Sequence, residues 1–153
     1  MQIIKDQYIH YENLLSYKTT INPENIFLIT KYISNNLDKI GIKQQNKIIF
    51  CMDNYFCPDQ KHDVEFLIPV DKILVNNDHF AFKPTFKMVN TVKIRHEGSP
   101  ETLNTSYELL LDYIKQSNQE PITPAYCMII REDANQPTNG IIDIYIGLNS
   151  NIL

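Results

Sequence analysis

The sequence predicts an α+β domain: two copies of a strand-helix-strand-strand unit forming a pseudo-twofold antiparallel sheet with helices on one face. Three observations carry this. Two segments begin with helix-start signals, Asn22-Pro23-Glu24 and Ser99-Pro100-Glu101, each followed by apolar residues at helical spacing. Two others, Asp63 to Val70 and Ile141 to Leu148, read as strands. Finally, the halves align with each other. A shift of 77 places Asn22-Pro23-Glu24 on Ser99-Pro100-Glu101, Ile33 on Leu110 and Leu37 on Ile114. A shift of 78 places Val64 to Val70 on Ile142 to Leu148, so one residue is gained between helix and last strand.

Taken in order, residues 3 to 18 are rich in Ile, Tyr and Leu and form an extended, bent strand. Asn22 is a favoured N-cap, Pro23 suits the first helical position and Glu24 suits the positive end of the dipole. Ile26, Ile29, Ile33, Leu37 and Ile40 make one helical stripe, and Gly41 supplies a left-handed stop. Lys47 to Asp53 and Asp63 to Val70 are a hairpin around the polar, aromatic loop Asn54 to His62. In the second half, Phe86 to Ile94 is extended with a polar break at Asn90. A helix carries Leu103, Tyr107, Leu110, Leu111 and Ile114, and Tyr126 to Ile130 and Ile141 to Leu148 are strands joined through Asn139-Gly140. The whole chain, 1–153, reads as one domain with a first repeat 1–70, a connector 71–84 and a second repeat 85–153.

Composition narrows the function classes. With 43% hydrophobic and 10% aromatic residues the chain can bury a core. A net charge of -4 argues against direct nucleic acid binding, which needs clustered Lys and Arg. No apolar run reaches the roughly 20 residues of a membrane span, and Lys5 and Asp6 near the start argue against a signal peptide. Cys51, Cys57 and Cys127 include no CxxC pair, which suits a reduced, cytoplasmic setting. The abundance of Asn, Ile and Lys, all with AT-rich codons, suggests a low-GC bacterium.

Strand alternation assigns faces. Val64, Phe66, Ile68 and Val70, with Ile142, Ile144, Ile146 and Leu148, are core. Glu65, Leu67, Asp143 and Tyr145 then point to the opposite side, so two carboxylates occupy matched positions of the repeat. Together with Tyr126 they are the candidate ligand-binding groove: Glu65 and Asp143 for a cationic ligand or an acid/base pair, Tyr126 and Tyr145 as its walls. The bland alternative is that both carboxylates are outward positions of half-exposed strands.

His96, at a strand end before Glu97-Gly98, is either a general base or a turn-stabilising residue, the latter favoured because no nucleophile lies near it. Cys57, Asp59, His62 and Asp63 match no tetrahedral ligand spacing, so no metal and no cofactor is expected. No P-loop, dinucleotide glycine pattern or GxSxG occurs, and the chain reads as a non-enzyme. Tyr55 and Phe56, adjacent aromatics at a loop tip, are candidate partner-binding residues; the alternative is that they fold back over their own sheet.

The run His96-Glu97-Gly98-Ser99, then a helix, Pro121-Ile122-Thr123-Pro124-Ala125-Tyr126 and Asp143 to Leu148 resembles the GyrI-like superfamily, which includes effector-binding domains of multidrug-sensing regulators. That resemblance implies the duplicated fold, and a ligand groove lined by an acidic residue of the last strand, here Asp143, one methylene shorter than the usual Glu. Gly147 stands where proline is common, while Pro69 keeps it in the first half. The tail, Ile141 through Asn149 to Asn151-Ile152-Leu153, is similar to small uncharacterised Firmicutes proteins beside type VII secretion loci, the EssE-type accessory proteins. This implies a protein partner, a secreted toxin or secretion component, and makes a cytoplasmic accessory factor or chaperone the leading expectation. The runner-up is a stand-alone domain binding a small cationic, aromatic or hydrophobic ligand. Resemblance to some GyrI-like proteins adds a hydrolase of electrophilic drugs as a third.

Overall fold

The computed structural model describes residues 2–52, 60–74, 80–133, 135–136 and 139–149. In chain order its elements are β1 (Ile3–Ile21), α1 (Ile26–Lys39), β2 (Ile49–Met52), β3 (His62–Pro69), β4 (Ala81–Gly98), α2 (Leu103–Gln116), β5 (Tyr126–Glu132) and β6 (Gly140–Gly147). This is the expected strand-helix-strand-strand order, twice. The six strands are antiparallel neighbours in the order β1-β3-β2-β5-β6-β4, and β4 returns to β1 so that the sheet closes into a barrel.

Both helices start from a short 3-10 turn with proline at its head, Pro23–Asn25 and Pro100–Thr102. The caps differ. Ser99 accepts a hydrogen bond from the Glu101 amide at 3.1 Å, whereas Asn22, expected to cap, makes no side-chain capping bond. The stops match. Gly41 (φ 76°) and Asn118 (φ 55°) adopt the left-handed conformation. Each ends its helix with the same pair of bonds: Gly41 to Asp38 O and Ile42 to Leu37 O, Asn118 to Lys115 O and Gln119 to Ile114 O.

The repeat extends to backbone detail. Asn13 (φ 58°) and Asn90 (φ 51°) are both left-handed, and their carbonyls accept from Val70 N at 2.8 Å and Leu148 N at 3.0 Å. Likewise Gln45 N donates to Pro69 O and Ile122 N to Gly147 O. These positions differ by 77 or 78, the two shifts read from the sequence.

Two apolar clusters result. The larger lies under both helices, where Phe27, Ile33, Leu37, Leu103, Leu110 and Ile114 meet Val64, Phe66, Ile68, Val70, Ile142, Ile144, Ile146 and Leu148. The face assignment from alternation is therefore correct. The second cluster lies on the opposite face of the sheet and holds Ile9, Leu14, Ile49, Leu67, Met88, Met128 and Tyr145.

Several boundaries differ from expectation. β1 runs on to Ile21 and β4 spans Ala81–Gly98, beginning inside the expected connector 71–84. Local alternation stops at polar residues such as Asn90, but ladder pairing carries the strand past them as a left-handed irregularity. β2 covers only Ile49–Met52. The two repeats are joined directly: residues 9–16 of β1 pair with residues 81–88 of β4, with Ile9 opposite Met88 and Tyr11 opposite Phe86. Two further requirements are local. A Cβ at Gly140 would lie 2.4 Å from Arg131 O and 2.6 Å from Phe27 Cζ, so only glycine fits where β6 begins. The Gly147 amide donates to Thr123 Oγ1 at 2.9 Å, a bond that proline, common there in the GyrI-like pattern, would lose.

Candidate functional site

Registers place the candidate groove residues on the face away from the helices, in two adjacent cross-strand rows. One row reads Lys18, Glu65, Cys51, Tyr126, Tyr145, Lys93. The next reads Ser16, Leu67, Ile49, Met128, Asp143, Arg95. Glu65 and Asp143 thus share a face, near opposite ends of it, with the tyrosines between.

Neither carboxylate is a bare acceptor. Asp143 is 1% exposed, not the half-exposed outward residue that alternation alone suggests. Its two oxygens accept from Arg95 Nε at 2.8 Å and Nη2 at 3.0 Å. Lys93 Nζ lies 3.6 Å from Oδ2. The Asp143 bonds in turn hold the Arg95 guanidinium above its ordinary pKa. Glu65 accepts from the Ser16 hydroxyl and from Lys83 Nζ at 2.9 Å. Burial would raise the Glu65 carboxyl, but Ser16 and Lys83, with Lys18 further off, outweigh it and hold the group below its usual value.

Between these ion pairs the face is aromatic. Tyr11, Phe86, Tyr126 and Ile130 are half-buried around the second cluster. Phe86 and Tyr126 meet edge to face with ring centroids 5.0 Å apart, and the Tyr11 hydroxyl lies 3.7 Å from Met128 Sδ. Tyr145 is pushed up to about 12, first by burial, then by Asp143 and Tyr11, with Arg95 opposing. Burial also raises Tyr126, helped by Cys51 and Glu65, and raises Tyr11. All three are neutral phenols at physiological pH. Lys93 Nζ sits 5.8 Å from the centre of the Tyr145 ring.

The face ends in two open clefts. One, of about 610 Å³, is lined by Gln2, Ile4, Lys93, Arg95 and Glu97. The other, of about 460 Å³, includes Lys18, Thr20, Cys51, Asp63 and Glu65 in its lining.

Sequence reasoning missed Lys93, Arg95 and Lys83, the cations that neutralise both carboxylates, and the wall residues Tyr11 and Phe86. The signal for two of them was present: the 77-residue shift lays Lys18 on Arg95, one of only two arginines, and Ser16 on Lys93.

His96 takes the structural role. It is buried, with Nε2 2.8 Å from Ser99 O and Nδ1 2.8 Å from Ser106 Oγ. A carbonyl can only accept, so Nε2 donates to Ser99 O. The ring ties β4 to the start of α2. Tyr55, Phe56, Cys57 and Asp59 lie outside the described residues. Asp63 accepts from Thr20 Oγ1 at 2.7 Å, and among the described residues no group of three or more His, Cys, Asp or Glu is placed to hold a metal. Among the same residues no helix is long and apolar enough to cross a membrane.

No protein-family model matches the chain, and no curated protein matches it. Solved structures do. The EcmrR C-terminal domain aligns over 97% of this chain and 99% of its own, at 14% identity and a TM-score of 0.68. EcmrR in an EcmrR-DNA complex aligns over 97% of this chain with a TM-score of 0.78 and 14% identity, and this chain spans 57% of that one. A hydrolase from Listeria innocua covers 97% of the chain and 91% of its own at 10% identity and a TM-score of 0.58. SAV2435 bound to tetraphenylphosphonium covers 97% and 93% at 12% identity and a TM-score of 0.50. At such identities the likeness concerns the fold alone, and that fold is the GyrI-like one: six antiparallel strands and two helices in duplicated order.

Proposed function

We propose that this chain is a non-catalytic small-molecule-binding domain whose site is the aromatic face opposite the helices. The observation that carries this reading is the set of half-buried rings, Tyr11, Phe86 and Tyr126, gathered beside buried Tyr145 between two ion pairs. A mostly apolar surface with a few convergent polar groups is what small-molecule sites are made of. The fold neighbour SAV2435 with tetraphenylphosphonium supports the same use of the fold. Glu65, Tyr126, Asp143 and Tyr145 are the proposed ligand-facing residues. Catalysis by the carboxylates is disfavoured: Asp143 has both oxygens in a guanidinium fork, and Glu65 is held below its usual value, far from a base poised near neutrality. The accessory-protein expectation, with Tyr55 and Phe56 as its contact residues, draws no support from these likenesses.

The chain lacks tryptophan, which makes the test direct. Tyr126→Trp places a single indole on the face, and titration with aromatic probes should shift or quench its emission saturably. A Leu28→Trp control, on the exposed side of α1, should not respond. Equal responses from the two variants, or no response from Tyr126→Trp, would remove this face from the function.

A further inference from the structure

We infer that the ligand of this face is an aromatic anion, its carboxylate or equivalent acid group held by Lys93 and Arg95 in the 610 Å³ cleft. This rests on the small-molecule reading above and gives that ligand its charge.

The argument is one of unused donors. The Lys93 side chain is 17% exposed and lines the open cleft. Its ion-pair partner, Asp143 Oδ2, is 3.6 Å away, too long for an N–H···O bond. Both Asp143 oxygens already accept shorter bonds from Arg95. The Tyr145 ring at 5.8 Å offers only a weak compensating contact. An ammonium with three donors, and no closer acceptor among the described residues, has donors to offer a ligand acid in the cleft. Arg95 adds a second donor: Nε and Nη2 are spent on Asp143, leaving Nη1 without a partner among the described residues, on a side chain 47% exposed. Both groups line the same cleft, beside Ile4 and Gln2. A ligand acid seated there fills donors that the chain leaves open, and its ring extends along the row toward Tyr145 and Tyr126.

The acidic groups nearby do not reverse this. Glu97 lines the cleft but is exposed, where water screens it. Asp143 is neutralised by its guanidinium fork. At the far end Glu65 is engaged by Ser16 and Lys83. A lipophilic cation would have to compete with these resident partners for either carboxylate.

The experiment is calorimetric titration of the full chain with three probes: 2-naphthoate, its neutral isostere 2-naphthamide, and tetraphenylphosphonium. We expect 2-naphthoate to bind at least tenfold more tightly than 2-naphthamide. In Lys93→Gln, checked for folding by circular dichroism, that preference should fall at least threefold, Arg95 retaining the remainder. Equal affinity for acid and amide in the wild type, tighter binding of tetraphenylphosphonium, or an undiminished preference in Lys93→Gln would each overturn the inference alone. If none of the three binds, the small-molecule reading falls with it. The wild-type acid-to-amide ratio is decisive even if the variant does not fold.

Discussion

Arg95 and Asp143 face each other across β4 and β6 and are joined at two points, Nε to Oδ1 at 2.8 Å and Nη2 to Oδ2 at 3.0 Å. The pair is lopsided: the carboxylate side chain is 2% exposed and the guanidinium 47%. Removing one partner therefore differs from removing the other. Arg95→Met strands a buried charge with only Lys93 nearby, and should cost about 3 kcal/mol or more. Asp143→Asn leaves a guanidinium that water can reach, and should cost about 1–2 kcal/mol. Urea unfolding of the two variants checks the order, and the reverse order would mean that Asp143 is not the desolvated member.

The tyrosine beside this pair sets an alkaline limit. Tyr145 ionises at about 12 when folded, above the ordinary 10.0. Below pH 10 both states are protonated and nothing is lost. Above it the unfolded chain releases the proton while the native one retains it, so stability falls as pH rises from about 10 to about 12. Tyr145→Phe should make this limb of the stability profile shallower, with Tyr11 and Tyr126 supplying the rest. Unfolding midpoints at pH 9 and 11 in both proteins provide the comparison.

Glu65 acts at the acid end. Its folded value is depressed, so its contribution is complete above the unfolded carboxyl value and is lost as pH falls through the folded one. Glu65→Gln should shallow the loss of stability below about pH 4, and an unchanged acid limb would show that the Ser16 and Lys83 contacts contribute little in solution.

His96 is expected to matter for α2 and for nothing on the aromatic face. His96→Ala removes a buried ring and its bonds to the Ser106 hydroxyl and the Ser99 carbonyl, at a cost of about 1–3 kcal/mol. Hydrogen exchange should accelerate in the first turn of α2, while probe binding in the folded fraction stays the same.

Gly140→Ala should be at least as damaging. The new methyl meets backbone, Arg131 O and Glu132 Cα, which cannot step aside as a side chain can. A loss of about 2–3 kcal/mol, read from thermal melts, is the expected outcome.

What was legible in the sequence was local or repeated. Pro23 and Pro100 announced the helix starts, Gly41 the first stop, and Val64 and Ile142 the buried faces. The stop at Asn118 was less visible, since asparagine replaces glycine in the same conformation. What was not legible came from partners distant in sequence. Alternation gives the face of Asp143 but not what lies around it, and its burial depends on Arg95, 48 residues earlier. Nor do the strands of one repeat reveal that Tyr11 will pair with Phe86 and bring two rings onto the same face as Tyr126. That pairing joins the repeats to each other, so neither half contains it.

Closure of the barrel has a consequence for recognition. Each of the six strands has a hydrogen-bonded neighbour on both sides somewhere along its length, but residues 9–12 of β1 pair only with β4 and residues 85–88 of β4 only with β1. Outside that two-stranded ribbon, where a strand is paired on both sides, an incoming extended peptide can be captured by strand addition only after one strand parts from its neighbour. What meets the aromatic face, within the fully paired rows, is met by side chains. Discrimination then falls to rings and charges, which can change by single substitutions while the hydrogen-bonded frame stays as it is.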